Sequence, residues 1–541
     1  MRAVLVGPIQ QENLALGYLA SHARANGHQV EVVAYAYRKD LNETVDVVLS
    51  HNPDLAGLGI AFQNNIDDYV LLLRALRERG YRGHLTCGGQ VGTFCWEELM
   101  AELPGLDIVV RHDGEETLCE VLDALGRGEI PRNIAGLVWR TDDNCVVKGP
   151  MRFPSNDLDA YPPPVRSGVP YVVGELVVDF LITARGCVGE CNYCSIAAYT
   201  TEQKKSYRPR APEAVADEIA MACHERNAKV FFVQDDLFVL PGERPAVSRM
   251  QRIKKAIDER GVKDAVFWIK GRPENITRGV AEAAREMGAI CMFLGVENAS
   301  AKRLSYLGRT HLPMHNDSAI EHCRNANIVP SFNFMLFDPD CTLEDVSTTL
   351  DMAALHPDLP WNVCRTEIYS GTGWRNRLMK EGRLQGDRRS YGYRMTDLRV
   401  EVMFRIIRVS LHERALAIDS LLNRLISLSF ARQLRCKFYP SPATTALDQA
   451  VTELGVMIRR DTVARLRDVR DLVMSSSRVD AKAIRTFAVE QAMKIGAFDV
   501  PLRVRTEVLW DQLPARGRSQ SIRRIRRDQT IRAGFEIAAG S

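Results

Sequence analysis

Three cysteines, Cys187, Cys191 and Cys194, fall at spacings C-x3-C-x2-C in the run Thr183-Ala184-Arg185-Gly186-Cys187-Val188-Gly189-Glu190-Cys191-Asn192-Tyr193-Cys194. Thiolates this close together on a glycine-containing loop suit metal ligation better than disulfide pairing, and soft thiolates select iron-sulfur clusters or zinc. Zinc takes four protein ligands in structural sites and brings His or carboxylate in catalytic ones. No fourth Cys or His follows within the next 25 residues. A cubane cluster held by three cysteines keeps one iron without a protein ligand, and an open position is what a cluster needs to bind a substrate or cofactor. The spacing therefore predicts a [4Fe-4S] cluster on Cys187, Cys191 and Cys194.

The elements that must position this loop are legible in the hydrophobic period. Residues 1–145 alternate strands (3–6, 30–34, 55–60, 84–87, 107–110) with helices (16–23, closed by Asn26-Gly27, then 44–50, 67–79, 96–102 and 116–125). Such repetition predicts an α/β fold with a parallel, doubly wound, Rossmann-like sheet. Ligands of that fold sit at the carboxyl ends of the strands, which directs attention to loops 7–13, 61–65, 88–93 and 111–116. Gly88-Gly89 and Gly114 lie on those loops, where missing side chains let a backbone approach a bulky ligand.

Residues 142–171 turn irregular and proline-rich (Pro150, Pro154, Pro162, Pro163, Pro164 and Pro170), which reads as a stiff linker draped over one face of the next domain. A strand at 176–183 then delivers the cysteine loop at its carboxyl end, where α/β barrels place chemistry. Five further β-α steps follow, with strands at 229–233, 265–270, 289–294, 329–337 and 362–369. Six parallel strands predict a partial (β/α)6 barrel. Beyond residue 385 the alternation gives way to helical periods at 400–425, 461–474 and 481–493, a C-terminal helical domain. The expected division is 1–145, a linker 146–172, a barrel 173–385 and helices 386–541.

The cysteine motif resembles the signature of the radical S-adenosylmethionine (radical SAM) family, with Tyr193 matching the aromatic residue that commonly precedes the third cysteine. A sheet domain placed directly before it, with Gly88-Gly89 and Gly114-Glu115 at its loop ends, resembles the cobalamin-dependent branch of that family. The D-x-H-x-x-G motif that supplies a cobalt-ligating histidine is missing, since the first loop reads Gly7-Pro8-Ile9-Gln10-Gln11-Glu12-Asn13. No protein histidine is therefore expected on cobalt, and His112 reads as a solvated loop residue.

The resemblance implies that Phe62, Gln63 and Asn64 meet the lower face of the corrin and that Gly88, Gly89, Gln90, Gly114 and Glu115 contact cobalamin. It also implies that Asp235 and Asp236 accept from the ammonium of S-adenosylmethionine, Arg272 pairs with its carboxylate, Glu297 accepts from ribose hydroxyls and Tyr193 lines the adenine. A guanidinium fork matches a carboxylate bidentately, which suits Arg272 to that role.

The activity implied is C-methylation of a natural-product intermediate or a peptide through a 5′-deoxyadenosyl radical and methylcobalamin, fed by an electron donor such as a flavodoxin or ferredoxin. The same two domains support a cyclase or rearrangement enzyme without methyl transfer. A cobalamin or cluster sensor without turnover needs no acceptors such as Asp235, Asp236 and Glu297. Methylthiolating enzymes carry a further N-terminal cysteine trio, which this chain lacks.

Composition bounds the rest. The 71 Lys and Arg nearly balance 68 Asp and Glu, so no chain-wide field points to nucleic acid or membrane. Thirteen cysteines, scattered apart from the one motif, occur with no signal-peptide pattern and no apolar run near 18 residues. These features lead to an expected cytoplasmic, reducing location. The run Arg523, Arg524, Arg526 and Arg527 reads as a solvated basic face.

Overall fold

A computed structural model describes residues 1–8, 12–35, 37–166, 170–475 and 481–513 of the chain. It forms two compact units, one built from the described residues of 1–169, 180–214 and 367–392, the other from those of 170–179, 215–366 and 393–513.

The first unit is organised by a seven-stranded sheet of β1 (Arg2–Gly7), β2 (Gln29–Ala34), β3 (Leu55–Gly59), β4 (His84–Gly88), β5 (Ile108–Val110), β6 (Leu137–Arg140) and β7 (Val146–Lys148), in the order β2-β1-β3-β4-β5-β6-β7. The first five strands run parallel, β1 pairing with both β2 and β3. Its helices are α1 (Leu14–Ala25), α2 (Leu41–Ser50), α3 (Ile66–Glu78), α4 (Gly89–Phe94), α5 (Trp96–Glu102) and α6 (Glu115–Gly126). Period-2 alternation sends Val4 and Val6 into one core with Ile66 and Leu99, and Ala3 and Leu5 into another with Ala20 and Leu122. Two cores on opposite faces of one sheet are what a doubly wound fold requires.

Several expectations are corrected here. β6 and β7 extend the sheet antiparallel, so Val146–Lys148 is a paired edge strand rather than linker. The expected loop 88–93 contains α4. The proline-rich segment lies against the helices of the first sheet: Val165 N–H donates to the Gly17 carbonyl at 3.0 Å, and Arg152 reaches Glu116 at 2.9 Å and Glu120 at 2.6 Å. Arg152 pairs with two half-exposed carboxylates of α6, so the segment packs on the sheet that precedes it as well as leading into the next domain.

The second sheet has the order β16-β15-β14-β13-β12-β9-β8, and its strands are β8 (Tyr171–Val173), β9 (Leu176–Leu181), β12 (Ala228–Val233), β13 (Val266–Gly271), β14 (Ala289–Leu294), β15 (Val329–Phe337) and β16 (Trp361–Arg365). Between β9 and β12 the chain makes a small antiparallel pair, β10 (Ala184–Gly186) with β11 (Tyr207–Pro209). β12 to β16 are parallel, while β8 adds an antiparallel edge to the six expected strands. Every residue of β14 is buried, as expected of a strand covered on both faces. Helices α7 (Ser195–Gln203), α8 (Pro212–Arg226), α9 (Glu243–Glu259), α10 (Arg278–Met287), α11 (Ala301–Tyr306), α12 (Pro313–Asn325) and α13 (Leu343–Leu355) connect the strands.

After β16 come α14 (Gly373–Lys380), the hairpin β17 (Leu384–Asp387) with β18 (Ser390–Tyr393), then α15 (Leu398–Ser410), α16 (Leu421–Phe438), α17 (Pro442–Ser475) and α18 (Ala481–Asp511). α17 and α18 are longer than their periods suggest, at 34 and 31 residues, and α18 carries Pro501 internally. Fully buried Arg414 ties them together, its Nε 3.0 Å from both Asp499 carboxylate oxygens and its Nη1 on Asp461. Removing one partner of such a buried ion group costs about 3–5 kcal/mol. The basic run at residues 523–527 lies outside the described residues. Among the described residues no helix is long and apolar enough to cross a membrane.

Candidate functional site

The cysteine loop belongs to the first unit. β10 enters it through Gly186, whose φ of 85° and whose position against the Ser206 carbonyl leave no room for a Cβ. Just beyond, the Gly189 N–H donates to Cys187 Sγ at 3.3 Å, and the Cys194 N–H donates to the Cys191 carbonyl at 3.1 Å. This contact ties the Cys187 side chain to the backbone of the loop. Cys191 is buried, whereas Cys187 and Cys194 are half-buried. Among the described residues no three His, Cys, Asp or Glu side chains converge on one metal ion. A cubane cluster does not ask that of its cysteines, because each binds a different iron. Three soft donors on one turn therefore fit the cluster.

Two segments distant in sequence hold this loop. The Trp374 N–H donates to the Asn192 carbonyl at 3.0 Å, and the Trp374 ring packs 6.0 Å from Tyr193. Tyr193 and Trp374 are both buried, so Tyr193 is a packing residue of the loop as well as the aromatic that the sequence singled out. On the other side, the turn after β5 is spent on the loop's flanks. Glu115 takes Arg185 at 2.6 Å, Asp113 takes Arg208 at 2.7 Å and stands 3.6 Å from Arg185, and Arg111 reaches Glu202 of α7 at 2.9 Å.

His112 is not solvated. Its side chain is 1% exposed, with Nε2 3.0 Å from Glu202 and its ring edge-on to Tyr199 at 5.3 Å. Tyr199 in turn shares a 2.9 Å hydrogen bond with Thr93, and Thr93 Oγ1 accepts from the His112 N–H at 2.9 Å. The His112 imidazole beside it, with the Arg111 guanidinium, holds the Glu202 carboxyl below its ordinary range. Burial pushes the Asp113 carboxyl up, yet Arg185 and Arg208 beside it bring the balance below the ordinary range.

The cobalamin candidates lie on the same unit. Phe62 is half-buried and Asn64 exposed on the turn after β3, while the Gln63 amide donates to the Ile368 carbonyl at 2.8 Å. Gly89 is exposed with φ 86°, and an added Cβ there would meet the Ile60 carbonyl at 2.8 Å. At Gly114 it would meet Leu19 and Val110, at 3.2 and 3.3 Å. The protein's own backbone thus already requires Gly89, whereas at Gly114 only two side-chain ends stand in the way. Gln90 sits half-buried in α4, and the Glu115 carboxylate is taken by Arg185. The exposed Asn64 and Gly89 at the strand ends and the lack of a histidine in the described part of the first loop fit a cobalamin without a protein imidazole.

The second unit carries the remaining candidates at the carboxyl ends of β12, β13 and β14. Asp235 is buried, but Asp236 beside it is exposed, so the two do not share one environment. Arg272 Nε donates to Glu274 at 2.6 Å, and Arg272 Nη2 lies 3.5 Å from Thr310. Glu297, at φ 59°, is paired with Arg309 rather than standing open. His311 completes this group, its side chain fully buried with Nδ1 3.4 Å from Glu274. Burial lowers the His311 imidazole to about 4, although Glu274 opposes the shift.

The sequence did not single out Glu274, Arg309, His311, Asn192, Trp374 or Glu202. Gly308-Arg309 after a short helix and Thr372-Gly373-Trp374 after a strand are local turn signals, and neither specifies a partner.

Comparison with known proteins agrees with this layout. Residues 5–122 match the B12 binding domain and residues 181–353 the Radical SAM superfamily. Over 346 residues the chain is 27% identical to an uncharacterized methyltransferase of Pyrococcus horikoshii, spanning 63% of this chain and 72% of that protein. Over 359 residues it is 26% identical to the anaerobic magnesium-protoporphyrin IX monomethyl ester cyclase of Rubrivivax gelatinosus, spanning 64% and 62%. In fold it resembles the cobalamin-dependent S-adenosylmethionine radical enzyme OxsB with aqua-cobalamin bound, at a TM-score of 0.69 and 16% identity over 99% of this chain and 84% of that one. The radical S-adenosylmethionine methyltransferase TsrM from Kitasatospora setae, with cobalamin and a [4Fe-4S] cluster bound, gives 0.59 and 18% over 70% and 75%.

Proposed function

This chain belongs to the cobalamin-dependent radical SAM enzymes, and we propose that it methylates a carbon atom of a small natural-product intermediate or a peptide. The observation that carries the reading is the attachment of the cysteine loop to the strand-end loops of the cobalamin-type sheet, through Arg185 on Glu115 and Arg208 on Asp113. A chemistry that passes from a radical source to a methyl donor needs the two supports fixed in one body, because orientation is what the protein contributes when cofactors carry the reaction. Similarity to a protein named as a methyltransferase supports the same reading.

When bound, the cluster, S-adenosylmethionine and cobalamin supply electron transfer, the 5′-deoxyadenosyl radical and the methyl group. The chain's own residues bind and orient. Cys187, Cys191 and Cys194 hold the cluster. Asp235, with Asp236, accepts from the ammonium of S-adenosylmethionine, and Arg272, braced by Glu274, meets its carboxylate. Glu297 serves the ribose side and Tyr193 the adenine side. Phe62, Gln63 and Asn64 face the corrin, and Gly88, Gly89, Gln90 and Gly114 line its tail, while the Glu115 carboxylate, paired with Arg185, braces the turn beside it. A reductant protein of the flavodoxin or ferredoxin type supplies electrons, and the working compartment is the reducing cytoplasm.

Mass spectrometry of a reduced, cobalamin-loaded incubation with candidate substrates tests the reading. A gain of one methyl group supports it. Turnover of S-adenosylmethionine to deoxyadenosine with product mass short of any added methyl favours the second reading, a cyclase or rearrangement enzyme, to which the similarity to the Rubrivivax gelatinosus cyclase points.

A further inference from the structure

The polar side chains of the turn after β5 are spent on residues that flank the cysteine loop. Arg111 and His112 go to Glu202, Asp113 goes to Arg208 and Arg185, and Glu115 goes to Arg185. Those partners flank the cysteine loop on both sides, Arg185 two residues before Cys187 and Glu202 eight residues after Cys194. Arg185 is further enclosed by the rings of Tyr18 at 5.1 Å and Tyr161 at 5.8 Å, so its guanidinium has a fixed seat. Glu115 is 4% exposed there, and a charge-assisted pair in so dry a place is stiff and orienting.

The same turn is a strand-end loop of the sheet, the place where a doubly wound fold receives its ligand. A ligand that settles on residues 111–116 therefore presses on the element that seats the cysteine loop.

We propose that residues 111–115 form a latch through which cobalamin occupancy and the cysteine loop are coupled, with Glu115 acting on Arg185 as a positioning residue rather than on the corrin. The proposal rests on the cofactor assignments made above. Coupling between two binding sites is reciprocal and commonly amounts to about five- to 150-fold in affinity. Because the cluster's open iron takes S-adenosylmethionine, hydroxocobalamin bound to the sheet raises the affinity for S-adenosylmethionine, and S-adenosylmethionine raises that for hydroxocobalamin by the same factor.

The test uses anaerobically reconstituted full-length protein without reductant, so that no turnover occurs. S-adenosylmethionine affinity is measured with and without saturating hydroxocobalamin, alongside iron content. The wild type gives a ratio of about fivefold or more. Glu115→Gln, which keeps the shape and removes the charge, brings the ratio to about one while its iron content stays that of the wild type. A general loss of stability weakens both affinities and leaves their ratio in place, so the ratio isolates positioning. Should Glu115→Gln fail to hold iron, Glu202→Gln on the half-exposed arm decides, with a ratio reduced from the wild type supporting the latch and an unchanged ratio overturning it. A wild-type ratio of one, or a Glu115→Gln ratio equal to that of the wild type, also overturns it. A wild type that takes up neither iron nor hydroxocobalamin overturns the cofactor assignments instead.

Discussion

The Trp374 N–H donates to the Asn192 carbonyl at 3.0 Å, joining the first turn of α14 to the first of the two residues between the second and third cysteines across 182 positions of sequence. Asn192 lies inside the C-x2-C turn, so whatever fixes its carbonyl fixes the separation of Cys191 and Cys194. Trp374→Ala removes a buried ring and is expected to cost about 3–5 kcal/mol. Both variants keep the backbone donor, and Trp374→Phe also keeps part of the packing. Thermal unfolding and iron content after reconstitution should both fall for the alanine variant and fall less for phenylalanine. Equal iron content and equal melting in Trp374→Ala would remove the ring from any role in the loop.

Cluster content separates the three motif cysteines from the others. Alanine at Cys187, Cys191 or Cys194 should abolish S-adenosylmethionine cleavage, and electron paramagnetic resonance of the reduced protein should lose the [4Fe-4S] signal. Cys87, Cys95 and Cys364 should be dispensable for the cluster. Burial pushes the Cys87 thiol up to about 12 and raises that of Cys95, so neither offers a thiolate near neutral pH. Full iron content in Cys191→Ala would sink the assignment.

Binding of S-adenosylmethionine should depend on Arg272 and Asp235. Losing a charge-assisted contact costs about 1.5–3 kcal/mol, or roughly ten- to 100-fold in affinity. Asp236, being exposed, should matter less than Asp235. Isothermal titration of Arg272→Ala against wild type reads this directly, and an unchanged affinity would place the carboxylate elsewhere.

Stability should respond to pH through His311. Its folded imidazole titrates near 4 instead of its ordinary value near 6.5, chiefly because burial disfavours the charged ring. A group lowered in this way is neutral in the folded protein while the unfolded chain takes up a proton, so stability falls as pH drops from about 6.5 to about 4. The loss amounts to as much as about 3 kcal/mol. His311→Gln should flatten that part of the curve in denaturant unfolding measured from pH 7 to pH 4. Parallel curves for the two proteins would show that the ring contributes nothing there.

Cobalt should carry no protein imidazole. His112 is committed to Glu202 at 3.0 Å, and the described part of the loop after β1 holds no histidine. The cob(II)alamin form should therefore give an electron paramagnetic resonance spectrum without nitrogen superhyperfine splitting, in wild type and in His112→Asn alike. A splitting that disappears in His112→Asn would make His112 an axial ligand.

By itself the sequence determined what depends on neighbours along the chain. Cysteine spacing is a local property, and so are the alternation that gives a parallel sheet and the longer period that gives helices. Those signals were enough for the cluster motif and both α/β sheets, but helix ends were misjudged, by about 19 residues at the start of α17 and 18 at the end of α18, because end signals are weak and packing extends a helix past its clearest period. Tertiary structure alone decided who pairs with whom. Nothing in Glu115 or Arg185 advertises the other across 70 residues, because a carboxylate and a guanidinium are each as content in water as in a pair until burial removes the water. His112 looked solvated for the same reason, since polarity in sequence says nothing about a Tyr199 and a Glu202 that fold over it. The strand-end acids likewise read alike as Asp235-Asp236, and only the turn beyond β12 buried one and exposed the other.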